Sequence, residues 1–170
     1  MIRILRPGEF LFFCPNFSLC FKIHFFYLAS ISFQNQKMKL EHHISKPSIQ
    51  AFEYLADVEK FVQIHPIIYK AKPLGNNEFL FFEKLSVLFF PVTVSYKATI
   101  VSNRDKKTVI MGASVMGILK INIVFEIAEI SHGCKIVETV NFETRLPIIP
   151  VVEKIFKKQH LALFANMEKA

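Results

Sequence analysis

From Lys39 onward the apolar positions recur with a period that switches between two and about 3.6. KLEHHIS (39–45) fits a first strand. Pro47 suits the first turn of a helix, and PSIQAFEYLAD places Ile49, Phe52, Tyr54, Leu55 and Ala56 at mostly helical spacing. Asp57 is placed to cap a second short helix, VEKFVQIH, whose Val58, Phe61, Val62 and Ile64 form one stripe. A residue before proline is driven out of the helical region, so His65-Pro66 ends that helix. A ligand or proton-transfer role for His65 is the alternative.

After Pro66 the period becomes two. IIYKAKPL runs to Gly75-Asn76-Asn77, a turn signal, and EFLFFEKLSVLFF runs to Pro91. VTVSYKATIV, TVIMGASV, ILKINIVFEIAEI and CKIVETVNFET follow, with short polar or glycine-containing breaks between them. Six strand candidates in succession with short connections predict an antiparallel meander. Pro147 and Pro150 lead into a long helix, VVEKIFKKQHLALFANMEKA. Val152, Ile155, Phe156, Leu163 and Met167 lie on its broad apolar face, with Lys154, Lys157 and Lys158 toward the other. The sheet is the large partner available to that face. A curved sheet wrapped around one helix leaves space that the helix face alone does not fill, and apolar residues would line it.

Residues 1–37 do not share this regularity. Their apolar runs are broken by Pro15, Asn16 and Lys22, and IHFFYLASISF is too short to span a bilayer. The domain is therefore expected over 38–170, with 1–37 an extension outside it. Three readings of the extension stay open: a start-site artefact, a signal or membrane-associating segment, or a genuine structural element. The chain as a whole is rich in apolar residues and carries a net charge of +7. Residues 1–37 hold four Lys/Arg against one acid, and the rest seventeen against thirteen, so the excess is diffuse. No nucleic-acid partner is expected; peripheral contact with an anionic membrane remains open. Cys14, Cys20 and Cys134 form no CxxC pair, and Cys134 is expected as a reduced, buried thiol. That favours a cytoplasmic protein, with an exported or membrane-associated one the alternative if residues 1–37 are real. Oligomeric state is not legible.

The order of elements, and HHISKPSIQAFEYLADVEKFVQIHPIIYKAKPL in particular, resembles the START-like or Bet v 1-like (SRPBCC) superfamily. The matching positions are Pro47, Phe52, Asp57, Phe61 and Pro66. The resemblance implies an α+β helix-grip fold: about seven antiparallel strands curved around a long C-terminal helix, with two short helices after the first strand. It also implies a hydrophobic cavity. It carries over no catalytic set, because members range from lipid and polyketide binders to cyclases and quinone-binding proteins.

Candidate ligand contacts come from the two periods. Val94, Tyr96 and Ala98 share the inward face of one strand, Ile121 and Ile123 that of another, and Glu138, Val140 and Phe142 that of a third. Val152, Phe156, Gln159 and Leu163 lie on the helix face opposite them. Glu138 and Tyr96 are the polar members, able to orient a ligand or shift a proton if they point inward; the alternative exposes Glu138 at a strand end. His42 and His43 are adjacent on a strand, so at most one faces inward. No metal, nucleotide or other cofactor is expected, since no HExxH, His-Cys cluster or glycine-rich phosphate loop occurs. The expected role is noncatalytic: a carrier or sensor of a lipid, isoprenoid or polyketide-like molecule. The alternatives are a polyketide cyclase or dehydratase-like enzyme, with Glu138 or a histidine moving a proton, and a quinone- or lipid-binding accessory protein at a membrane.

Overall fold

The computed structural model describes residues 34–87 and 90–170. The strands are β1 (Gln34–Ile44), β2 (Ile68–Gly75), β3 (Glu78–Val87), β4 (Phe90–Asn103), β5 (Thr108–Val115), β6 (Leu119–Ile130) and β7 (Gly133–Thr144). They form one antiparallel sheet in the order β1-β7-β6-β5-β4-β3-β2. The helices are α1 (Ser48–Ala56), α2 (Val58–Ile64) and α3 (Ile149–Lys169), and the curved sheet grips α3. The predicted meander is β2 to β7, and β1 joins it by pairing with β7. β1 begins at Gln34, ahead of Met38, and Gln34–Lys37 pair with Asn141–Thr144. Most of the extension drawn over residues 1–37 lies outside the described residues, as do Cys14 and Cys20.

The local chemistry of the turns explains the register. Asn76 and Asn77 both have positive φ, 51° and 61°, and link Gly75 to its partner Glu78. This is the two-residue turn whose twist matches a hairpin, and asparagine tolerates it. At Gly133, φ is +104° and an added Cβ would meet the Ile44 carbonyl oxygen at 2.0 Å. Glycine is required there by both backbone conformation and the close approach of β1. The Asp57 carboxylate accepts from the Glu59 and Lys60 amides at 2.9 and 3.1 Å and starts α2, as its sequence position predicts. His65 ends α2 with an extended ψ of 129°.

Period two becomes an inward face. Along β7, Cys134, Ile136, Glu138, Val140, Phe142 and Thr144 are all buried. Leu119, Ile123, Phe125 and Ile127 do the same along β6, and His42 and Ile44 at the end of β1. On β4, Ala98 and Ile100 are buried, Tyr96 and Val94 partly so, and Val92 is 40% exposed. α3 buries Phe156, His160, Leu163, Phe164 and Met167, whereas Ile155, expected on this face, is 43% exposed. Its other end is tied down by polar contacts. Asn166 Nδ2 donates to the Ile64 carbonyl at 2.9 Å, and the Glu168 carboxylate accepts from the Ser45 amide. Among the described residues no helix is long and apolar enough to cross a membrane.

Candidate functional site

The gap between sheet and α3 is real and is concentrated at the β3–β6 side. A cavity of about 200 Å³ lies there. Phe61, Ile68, Phe81, Leu85, Met111, Leu119 and Ile121 contribute much of its apolar wall. Helix α3 closes it with Val152, Ile155, Phe156, Gln159 and His160. Small residues keep the space open: Ala98 and Ala113 occupy facing wall positions on β4 and β5.

Among the described residues, the polar side chains that reach this wall are His65, Glu83, Tyr96, Gln159 and His160. Glu83 and Tyr96 form a pair, the phenol hydroxyl donating to Glu83 Oε1. Burial pushes the Glu83 carboxyl above its ordinary value, and the Tyr96 hydrogen bond offsets this in part. Burial and the neighbouring carboxylate push the Tyr96 phenol well above 10. His65 folds back on its own loop, so that Nδ1 accepts from the Ile68 amide at 3.0 Å. Burial, aided by the neighbouring His160, lowers His65 to about 3, so it is a neutral imidazole at physiological pH. It both ends the helix and lines the cavity.

Behind the cavity wall lies a second polar group. Glu138 is fully buried, with Oε1 2.6 Å from His160 Nδ1 and Oε2 3.4 Å from His42 Nε2. These contacts are closer than they are well aligned, since none of the four facing atoms has hydrogen-bond geometry. Burial pushes the Glu138 carboxyl up, but the close approach of His160 and His42 outweighs it and holds the group below the usual carboxylate value. Aromatic rings fix both imidazoles: Phe156 stacks on His160 at 3.8 Å and Phe164 on His42 at 3.9 Å. Among the described residues no three such side chains are arranged to hold a metal ion.

This cavity is enclosed by a sheet of order β1-β7-β6-β5-β4-β3-β2 gripping a C-terminal helix, and solved structures share that arrangement. The crystal structure of Ara h 8.0201 matches with a TM-score of 0.67 at 18% identity, over 80% of this chain and 97% of that one. This is the Bet v 1-like helix-grip fold. Two enzymes carry the same fold. Norcoclaurine synthase from Thalictrum flavum matches with a TM-score of 0.62 at 9% identity, over 99% of this chain and 96% of that one. The Zhui aromatase/cyclase from Streptomyces sp. R1128 matches with 0.59 at 13% identity, over 81% and 93%. No family model and no curated protein matches the sequence.

Within the helix-grip fold the sequence-derived positions separate into two groups. Tyr96, Ala98, Ile121, Ile123, Val152, Phe156 and Gln159 line the cavity together. Glu138, Val140, Phe142 and Leu163 are completely buried and lie outside the cavity lining, and Val94 is partly buried outside it as well. Glu138 points inward, not to solvent, but into the packing between β1, β7 and α3. Two polar wall residues escaped the sequence reading. Glu83 shares a strand face with Phe79, Phe81 and Leu85, and that alternation marks it as inward-facing. His160 stands four residues after Phe156 and three before Leu163, within the apolar stripe of α3.

Proposed function

We propose that this protein binds a compact apolar molecule in the cavity between the sheet and α3. The observation that carries the reading is the space itself, about 200 Å³ walled mainly by aliphatic and aromatic side chains with few polar groups. An apolar cavity of about 150 Å³ holds benzene, so one or two rings fit inside this one. Long acyl or isoprenoid chains would have to extend past the exposed Ile155 at the rim. The Glu83–Tyr96 pair supplies a polar end for the ligand to address, which favours an amphiphilic ring such as a phenol over a plain hydrocarbon. Carriage or sensing requires nothing further. The cyclase-like alternative draws support from the aromatase/cyclase and norcoclaurine synthase that share the fold.

The test is saturable binding of 2-naphthol by the full chain, followed by fluorescence, in wild type and Ala98→Phe. Ala98 is 4% exposed and lines the cavity. Filling a real cavity should cost less than the roughly 1–3 kcal/mol of overpacking a solid core, while binding weakens at least about tenfold, a change of about 1.4 kcal/mol. Absence of saturable binding by wild type, or unchanged binding by a folded Ala98→Phe protein, overturns the proposal.

A further inference from the structure

Holding an apolar molecule makes no use of three buried titratable side chains, His42, Glu138 and His160. Their arrangement has the parts of an oriented base. Glu138 is fully enclosed and its Oε1 lies 2.6 Å from His160 Nδ1. An ionised carboxylate only accepts hydrogen bonds, so at this separation it favours the tautomer with the proton on the nitrogen that faces it. In the neutral imidazole Nε2 then carries the free lone pair, on the far side of the ring from Glu138. His160 is at the same time part of the cavity wall, and the Phe156 ring stacked at 3.8 Å fixes the imidazole plane. His42 stands on the other oxygen of the carboxylate at 3.4 Å. A base, a group that orients it and a water-poor pocket for the reacting molecule thus coincide.

We infer that His160, positioned by Glu138, transfers a proton to and from a compact apolar carbon acid held in the cavity, such as a carbonyl compound with a C–H bond beside the carbonyl. The C–H proton passes to Nε2 and the C–H electron pair becomes the C=C bond of an enolate. Return of the proton to the same or a conjugated carbon completes an exchange or an isomerisation, with no oxidant, reductant or second substrate. The titratable groups around His160 are Glu138 from β7, His42 from β1 and His65 from the end of α2; Glu83 and Tyr96 share the cavity wall. The inference rests on the cavity being a binding site.

The experiment uses the full chain and 5-nitrobenzisoxazole, a bicyclic carbon acid of suitable size. Loss of its C3 proton to a base breaks the ring N–O bond and releases 2-cyano-4-nitrophenolate, followed by absorbance. 5-Nitroindazole, an unreactive analogue, reports binding separately. Wild type should accelerate the elimination at least about 100-fold over buffer, the lower range for general-base catalysis. His160→Phe, which keeps an aromatic ring in the stack, should bring the rate within about threefold of buffer while 5-nitroindazole still binds. Glu138→Gln should lower the rate about tenfold or more, move the pH midpoint of the rate, and leave 5-nitroindazole affinity within about threefold. His132→Asn, in an exposed turn, should change nothing. If 5-nitroindazole does not bind wild type, the cavity reading falls and this inference with it. Binding without acceleration, or acceleration that survives His160→Phe, overturns this inference alone. Should His160→Phe not fold, nitrogen NMR of labelled wild type decides: a bare Nε2 on His160 supports the assignment, and a protonated Nε2 beside a bare Nδ1 overturns it.

Discussion

Glu83 and Glu138 both enter the interior of this molecule from strands that alternate inward and outward, yet they meet opposite surroundings. Glu83 on β3 has one neutral partner, the Tyr96 hydroxyl, and burial raises its carboxyl above the ordinary value. Glu138 on β7 is more deeply enclosed, but two imidazoles face it and hold its carboxyl below that value. Depth of burial alone would rank them the other way. What separates them is whether the neighbours can carry positive charge. The first is suited to exchange its proton and the second to remain an anion.

The largest expected effect tests that contrast directly. Glu138→Gln takes the anion from between two histidines and should destabilise the fold by about 3 kcal/mol at pH 7, as for one partner lost from a buried pair. Glu83→Gln keeps an acceptor for Tyr96 and removes the burial penalty of a carboxylate, so its effect should stay within about 1 kcal/mol. Urea denaturation of both variants checks this, and equal losses would break the comparison.

A second effect concerns acid. His65 has a folded-state value of about 3 against an ordinary 6.5, so between those pH values the unfolded chain binds its proton and the folded chain does not. Stability from His65 is therefore present above pH 6.5 and falls as pH drops toward 3. At about 1.4 kcal/mol per pH unit the loss is on the order of a few kcal/mol. Glu138, lowered in the folded state, adds to the loss once pH falls below the ordinary carboxylate value of 4.5. Glu83 has the reverse sign: its raised value contributes stability at low pH that is lost as pH rises through it. His65→Phe should accordingly flatten the stability profile between pH 6.5 and 3, and Glu83→Gln should remove the loss of stability that sets in as pH rises above the ordinary 4.5 through Glu83's titration. Denaturation midpoints measured across pH 3–8 would show it.

The smallest effect sharpens the Glu83 side. Tyr96→Phe removes the one interaction that lowers Glu83, so the carboxyl titration should move further up, at a stability cost of about 1 kcal/mol. Carbon NMR of the glutamate carboxyls reads the shift; a downward move would mean that Tyr96 is not its partner.

Much of the frame was legible in the chain. Alternation along Leu119–Ile127 and Cys134–Thr144 marks the faces that are buried, and Asp57, Pro66 and Asn76-Asn77 mark where elements start and turn. The inward placement of Glu138 follows from the same alternation. The His42–Glu138–His160 group does not, because it requires β1 to lie against β7 and α3 to cross both. No local period encodes which histidines then meet one carboxylate. Likewise Ile155 sits on the apolar side of its helix by spacing, but in the fold it lines the cavity while staying 43% exposed.

The pairing of β1 with β7 also sets the timing of assembly. β2 to β7 can form by adding one hairpin after another as the chain leaves the ribosome. β1 emerges before them all, yet its Ile44 pairs with Cys134 and its Gln34 with Thr144. At about 5–20 residues per second, β1 waits on the order of 5–20 s for its partner. Through that interval it is an edge without a neighbour, the kind of segment that chaperones hold and that otherwise pairs with another copy.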